Sequence, residues 1–515
     1  MSSVVDCDYQ FFKECNCEYA QLRYILQHSQ QERLSVPSSV FVDIAGFRFN
    51  IVSALPIQQN QRYSNQTNPH PLVKKLMPSL QEKAKYEVWH GEDNRDYMIC
   101  CSDLLPSDPF AGNESTSSQT VRPEVADDLS GKNGDEGIEA LTTRYQNVVH
   151  ELEMMEDPPC NSPELTAFLH RRGVSIRHIG ILYQMVNAPW LANLLFIEMI
   201  ARTAKCLLWK NQRCVVYERI PELESLTSVE ELMNAFEKIK QYLMDNVLAF
   251  LNTIFCANPE SQDYWSNTLL PLLCNKFTGI TDLPSYEINS WELFHSVCYH
   301  CGLTINYSGS EILMQDTPPF TSEAICDIPY RMKLLLPPSL KTDPEWMFVE
   351  GLVNKSSGYI NDVLIANNCL DSAIQILTTL NSSLLPSAYL TQAQLYQQRK
   401  NYNASYDIAI QAASCCHPYD SVYMRCLGIF FLAGQDPYQI IEDINDYFTV
   451  FTSHFAYYLP WVIFTVGMYC YMKDPSLAME YINQGKILCV ETVGKNNPQY
   501  ASILSFLGDV GVVIL

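Results

Sequence analysis

The sequence predicts an α+β chain that is predominantly α-helical, and three observations predict it. Apolar residues recur at helical spacing from Ile138 to about Phe277, as in SVEELMNAFEKIKQYLMDNVLAFLNTIF. Two short stretches near the N-terminus alternate apolar and polar residues around turn signals, which is strand periodicity. The last third repeats: Ala373, Ser405, Ile440 and Ala478 stand 32, 35 and 38 residues apart, close to the period of about 34 of stacked helical hairpins. A length of 515 residues accommodates about three domains. The expected divisions are a module with strand pairs over 1–105, a flexible acidic linker over 106–137, a helical central domain over 138–285, a mixed connection over 286–345, and helical repeats over 346–515.

In chain order, Phe11, Phe12, Tyr19, Leu22, Ile25 and Leu26 fall at helical intervals and predict one or two helices in the first 30 residues. SVFVDIAGFRFNIVSALPI then reads as a strand pair turning at Gly46, and KYEVWHGEDNRDYMICCSDLL as a second pair around Gly91–Asn94. Between them, the Gln/Asn-rich stretch from Gln58 to Pro69 reads as a loop. Pro106 to Gly137 is poor in large apolar residues and rich in Ser, Asp, Gly and Asn, hence the expected tether. The central helices follow, interrupted at Pro189. SWELFHSVCYHCGL predicts a helix in the connection, and Thr304–Tyr307 an extended piece. In the repeats, Tyr389, Ala393 and Tyr396 anchor one helix, and Ser405 and Ala412, seven apart, share a face of the next. Leu427, Gly428 and Phe431 open another hairpin. Val462, Val466 and Tyr469 open the last, whose second helix carries Ala478 and Gly485. Leu364 and Ala373 mark a degenerate first unit. This is the spacing of a tetratricopeptide-like (TPR-like) α-solenoid, with Tyr389, Ala393, Tyr396, Ala412, Phe431, Tyr469 and Ala478 as its packing and groove positions.

Charge and composition narrow the function. A formal net charge of −23 argues against a wholly phosphate-attracting surface, though not against a local basic patch. The 19 cysteines are scattered and no basic-then-apolar leader opens the sequence, so reduced cysteines and a cytoplasmic location are expected. Phe455 to Met472 carries no charge, but it contains Pro460 and Gly467 and falls on the repeat period. A buried solenoid helix is therefore expected there, with no integral membrane association. His295, Cys298 and Cys301 have zinc-like spacing without a second ligand pair, so no metal is expected. No phosphate loop, dinucleotide fingerprint or nucleophile elbow occurs, and the run Glu151, Glu153, Glu156 and Asp157 reads as a solvated helix face. The expectation is no enzyme and no cofactor.

One stretch stands out. Between Leu165 and Leu208 lie His170, Arg171, Arg172, Arg177 and His178, grouped around a turn at Gly173–Ser175, with Arg202 and Lys205 at helical spacing beyond. Arginines fork onto phosphates, and Tyr183 and Trp190 could stack on unpaired bases, which makes these seven the candidate RNA-binding residues. The competing reading is that Arg171 and Arg172 pair with the protein's own carboxylates.

The wording LHRRGVSIRHIG followed by EMIARTAK resembles the central domain of the clustered mitochondria (CLU) family. Five other stretches are similar to that family in the same order. SVFVDIAGFRFNIVSALPI with EVWHGEDNRDYMI resembles the end of its name-giving domain, with Phe47 in place of Tyr. HSVCYHCGLTINYS and PPFTSEAICDIPYRMKLLLP resemble its connection, and CVETVGKNNPQYASILSFLG its TPR units, with Asn497 where His is usual. The resemblance implies a shortened, non-enzymatic member made of a small β-containing CLU module, a helical central domain and TPR-like repeats. It implies an adaptor for mitochondrial distribution and biogenesis that binds mRNAs of mitochondrial proteins, translation initiation factor proteins and ribosomes. The alternative is a TPR protein-binding scaffold without RNA binding. A protein ligand in the TPR groove and self-association through the apolar C-terminal helix are the further partner expectations.

Overall fold

The computed structural model describes residues 20–22, 24, 34–37, 39–64, 70–71, 85–102, 104–110, 120–126, 128–129, 132, 134–155, 158–224, 228–280, 288–305, 315–327, 331–336, 360–379, 382–416, 421–432, 457–471 and 474–514. Helices predominate, and the strands are confined to small sheets, as the periodicities predict. The expected helices of the first 30 residues lie mostly outside the described residues. Leu22 and Tyr24 are buried against the first sheet.

That sheet has the order β1-β6-β5-β4, with β1 at Leu34–Ser35, β4 at Ile57–Ser64, β5 at Lys85–Gly91 and β6 at Asp96–Ser102. The second predicted strand pair is β5–β6, in which Val88 stands opposite Met98 and both are fully buried. Asn94, at φ 67°, takes the left-handed turn position that Asn tolerates. In the stretch expected as a loop, residues 65–69 lie outside the described residues, and residues 58–64 instead belong to β4, paired antiparallel with β5. Its Gln/Asn-rich composition concealed it, because an edge strand is held by backbone pairing and cross-strand contacts rather than an apolar face. Here Arg62 ion-pairs with Glu87 at 2.8 Å and lies over the Trp89 ring.

The first predicted pair is the hairpin β2 (Ser39–Ile44) and β3 (Phe47–Val52). Ala45 and Gly46 both have positive φ, the two-residue turn whose twist suits a hairpin, and Asp43 faces Arg48 in an ion pair of 2.6 Å. A Cβ on Gly46 would lie 2.4 Å from the Trp209 carbonyl oxygen, so the hairpin tip seats on the central domain only because that residue is glycine. β9 (Arg331–Leu336) joins β2 from almost 300 residues away to give the order β3-β2-β9. β7 (Thr304–Ile305) and β8 (Ile325–Asp327) pair separately.

The central domain runs through α1 (Asp135–Met154), α2 (Ser162–Arg171), α3 (Ile179–Met185), α4 (Pro189–Glu224), α5 (Val229–Phe255), α6 (Pro259–Tyr264), α7 (Leu270–Lys276) and α8 (Ser290–Cys301). α4 spans 36 residues and starts where the break at Pro189 was expected, since proline fits a first turn. Glu153 caps it by accepting hydrogen bonds from the Asn187 and Ala188 amides at 2.7 and 3.0 Å. Leu195, Ile197, Met199, Ile200, Ala201 and Ala204 of α4 are completely buried. Burying each larger one contributes roughly 1.5–3 kcal/mol, which makes α4 the axis of the core. Ser228 and Glu231 form a reciprocal capping box that starts α5.

The expected linker is different in its described part. Asp108, Val121, Val125, Ala126 and Leu129 are buried, and three of the valines and leucines belong to the central core. A few well-spaced apolar residues suffice to dock a segment whose overall composition is polar.

The C-terminal helices are α9 (Ile360–Thr379), α10 (Leu385–Gln398), α11 (Tyr402–Ser414), α12 (Ser421–Leu432), α13 (Leu459–Cys470), α14 (Pro475–Thr492) and α15 (Pro498–Ile514). They pack as antiparallel hairpins through the small residues singled out by the repeat. Ser405 donates to the Ala393 carbonyl at 2.7 Å. Gly467 abuts Ala478 and Ile482, and Gly485 abuts Pro460 and Phe464. Ala373 is buried but Leu364 is 58% exposed, so the degenerate first unit keeps only its small-residue contact. Ile440 lies outside the described residues. The uncharged run from Phe455 contains α13, of twelve residues. No helix among the described residues is long and apolar enough to cross a membrane.

Candidate functional site

The basic stretch begins where α2 ends. Asn161 caps the start of α2, and Gly173, at φ 76°, ends it; a Cβ there would strike Val125 at 2.3 Å. This turn presents His170 and Arg171 in the last helical turn and Arg172 as the cap, all partly exposed. Arg172 forks onto Glu151, with Nε donating to Oε2 at 2.8 Å and Nη2 donating to Oε1, and its guanidinium lies 5.2 Å from the Phe168 ring centroid. The acidic run expected as a solvated face stays partly exposed but is also used within the fold, Glu151 pairing with Arg172 and Glu153 capping α4. Glu156 and Asp157 lie outside the described residues.

Arg171 lies over the same ring, 5.7 Å from its centroid. Burial first, and then the neighbouring Arg172, pulls its pKa down to about 10. Its Nε has no hydrogen-bond partner among the described residues, and none of their carboxylates stands within ion-pair distance. It stays charged at neutral pH.

Arg177 and His178 are used inside the fold. Arg177 ion-pairs with Asp108 at 2.6 Å and donates to the Thr120 carbonyl at 3.0 Å. His178 is buried, with Nδ1 2.8 Å from the Tyr145 hydroxyl and Nε2 2.9 Å from the same Asp108 carboxylate, within ion-pair distance though off the hydrogen-bond direction. Burial pushes Asp108 up, but His178 and Arg177 more than offset it and hold the carboxyl below its ordinary value. Burial raises the Tyr145 phenol well above its ordinary range. Arg177 and His178 thus fasten the 104–126 segment to the helical core.

Arg202 belongs to a second buried group, centred on Glu198. Its Nε donates to Glu198 Oε1 at 2.5 Å and its Nη2 to Thr166 at 2.9 Å. His300 Nε2 lies 3.0 and 3.1 Å from the two Glu198 oxygens, and Ser162 donates to one of them. Glu198 is 1% exposed. Burial would raise its pKa, but His300, Arg202 and the hydrogen bonds outweigh it and hold the carboxyl far below its usual range.

Lys205 extends over the Trp209 ring at 4.7 Å, and Arg48 of the β2–β3 hairpin lies over the same ring at 5.3 Å. Arg213, one turn on, donates to the Gly46 carbonyl at 2.7 Å. Arg202, Lys205, Cys206, Trp209 and Arg213 therefore share one face of α4, met by the hairpin and by Lys276 from α7.

The structure brings His170, Arg171, Arg172, Arg177 and His178 to the end of α2, while Arg202 and Lys205 stand on the α4 face. Asp108, Glu198, Trp209 and Lys276 were missed. Glu198 and Trp209 carried a signal, four residues before Arg202 and four after Lys205. Asp108 and Lys276 are brought in by the tertiary fold and carried none. Among the groove positions, Ala393, Ala412 and Ala478 are fully buried packing residues, and Tyr389 and Tyr396 are half-buried. Phe431 and Tyr469 lie on α12 and α13, with side chains outside the described residues.

The C-terminal hairpins dock on the 153–164 segment. Arg425 pairs with Glu164 at 3.2 Å, and Ser387 donates to that carboxylate at 2.5 Å. Tyr457 and Tyr458 donate to the Met155 and Pro158 carbonyls at 2.7 and 3.3 Å, and the Tyr457 ring meets Trp190.

Residues 156–242 match the family model of translation initiation factor eIF3 subunit 135. The match takes in α2, α3, α4 and the first half of α5, hence all seven candidate basic residues and, from residue 156 on, the segment on which the C-terminal hairpins dock. Comparison with curated proteins and with solved structures finds no match.

Proposed function

We propose that this chain is a non-enzymatic adaptor of the translation-initiation machinery, working in the cytoplasm and held to its partners mainly by protein contacts. One observation carries the reading: the segment similar to the eIF3 subunit 135 model is the axis of the core, and the C-terminal helical hairpins are built onto it. Such an arrangement joins a translation-factor-like core to a helical-hairpin array of the type that binds protein segments. The fate of the basic residues favours protein over RNA. Arg172, Arg177, His178 and Arg202 are matched by Glu151, Asp108 and Glu198, and a net charge of −23 surrounds them.

The test is affinity purification of the tagged full chain from its own cells, with and without ribonuclease. Initiation-factor subunits and small ribosomal subunits recovered in both samples support the proposal. Their loss after ribonuclease, or recovery of neither, overturns it.

A second reading is favoured by Arg171, the cation of the cluster without a described carboxylate. In it, the end of α2 touches mRNA, and the CLU-like motifs point to transcripts of mitochondrial proteins and to mitochondrial distribution. Crosslinking of RNA in cells, comparing wild type with Arg171→Ala, separates the readings. Transcripts lost in the variant support the mRNA role; equal recovery removes Arg171 from it.

A further inference from the structure

The face of α4 that carries Lys205 and Trp209 also carries Cys206, whose surroundings differ from those of the other described cysteines. Lys276, at the last turn of α7, places its ammonium 2.9 Å from the Cys206 sulfur and is fixed there by a 2.7 Å hydrogen bond to the Arg202 carbonyl. Among the described residues, the charged groups that act on the sulfur are the cations Lys276, Lys205 and Arg202. Burial would push the thiol up, but Lys276, Lys205 and Arg202 more than offset it and hold it below its ordinary value. The residue is partly exposed.

We propose that Cys206 and Lys276 form a peroxide-reactive site in which the thiolate is oxidised and then captured by the lysine as a covalent cross-link between α4 and α7. In the first step the Cys206 thiolate attacks one oxygen of hydrogen peroxide. An S–O bond forms, the O–O bond breaks, and the leaving hydroxide takes a proton from the Lys276 ammonium and departs as water. Sulfur is oxidised by two electrons and peroxide reduced by two, leaving a sulfenic acid beside a neutral amine. In the second step the Lys276 nitrogen attacks that sulfur. An N–S bond forms, the S–O bond breaks, and a second water leaves, giving a sulfenamide. Sulfenic acids condense with nearby nitrogen or thiol nucleophiles in this way, and a 2.9 Å approach needs little movement. Two thiol equivalents regenerate both side chains: the first breaks the N–S bond, frees the amine and leaves a mixed disulfide on Cys206, and the second breaks that disulfide, giving the cysteine thiol and an external disulfide.

This inference is independent of the proposed adaptor role and its test needs no partner. The reduced full chain is treated with hydrogen peroxide, with and without dimedone, and each cysteine is followed by peptide mass spectrometry. Cys214, Cys274 and Cys415 are more exposed and serve as internal references. Cys206 is expected to acquire the dimedone adduct fastest. Without dimedone, a peptide pair joined through Cys206 and Lys276 is expected, and dithiothreitol releases it. Lys276→Met is expected to slow adduct formation about tenfold, since thiolate availability follows the neighbouring cation. Lys276→Arg keeps the cation and most of the rate but yields no cross-link. The proposal is overturned if Cys206 reacts no faster than the exposed cysteines, or if no joined peptide forms in wild type. A Lys276→Met variant that melts like wild type and reacts at the wild-type rate overturns it too. Should Lys276→Met fail to fold, wild type and Lys276→Arg still decide the matter.

Discussion

Glu198 is a carboxylate with almost no solvent, and it keeps its charge because Arg202 neutralises it while His300, Ser162 and Thr166 supply hydrogen bonds. Its removal strands a half-buried guanidinium, so Glu198→Ala is expected to destabilise the fold by about 3–5 kcal/mol. The measurement is the urea unfolding midpoint at neutral pH, and a change under about 1 kcal/mol contradicts the assignment. The pH dependence follows from the same group. Burial lowers His300 to about 3 from 6.5, so the unfolded chain binds that proton more readily, and stability falls as pH drops from about 6.5 toward 3. Glu198 is also depressed in the fold; its contribution is present above the ordinary carboxylate pKa of about 4.3 and is lost as pH falls below it. Acid titration of unfolding should therefore show a slope already above pH 5, and His300→Gln should reduce that early part, which His295 and His70, also lowered by burial, share. A wild-type stability flat from pH 6.5 to 5 would refute the role given to His300.

Among the elements, close approach of helices decides which glycines are replaceable. A Cβ at Gly467 in α13 would lie 2.6 Å from an Ile482 side-chain carbon and 3.0 Å from the Ala478 carbonyl oxygen. Gly428 in α12 meets nothing within 4 Å among the described residues. Gly467→Ala should separate α13 from α14 and cost about 1–3 kcal/mol. Gly428→Ala should raise stability by up to about 1 kcal/mol through helix propensity. Thermal melts of the two variants should shift in opposite directions, and a common direction contradicts the packing. In the repeat Gly428 reads as opening a hairpin and Gly467 only as an interruption of the uncharged run, so spacing did not distinguish the close position from the open one. β4 was hidden for a related reason: its polar residues satisfy an edge strand, whose stability comes from pairing with β5.

Over the whole molecule, the buried core runs without interruption from Val121 through α4 to Val462, Phe464 and Ile503. The central domain and the last hairpins should therefore exchange amide hydrogens as one cooperative unit. Hydrogen exchange followed by mass spectrometry should protect α4 and α13 to a similar degree. Glu164→Ala, which removes the partner of Arg425 and Ser387, should raise exchange in α10 and α12 first. Equal exchange in variant and wild type would show that this clasp does not hold the hairpins.

The sequence by itself determined the helical class, both strand hairpins, the start of α4 at Pro189 and the small residues on which the C-terminal hairpins cross. Each of these is a local matter of periodicity, turn chemistry or side-chain volume, written within a few residues of where it acts. Only the tertiary structure decided what the basic residues do. Arg177 and His178 meet Asp108, some 70 residues away in a segment whose composition reads as a tether, and Lys276 reaches Cys206 across a similar separation. An arginine-rich stretch looks the same in sequence whether it faces phosphate or a carboxylate of its own chain. Its charge is assigned by what the fold places beside it, and that depends on long-range packing that no local pattern records.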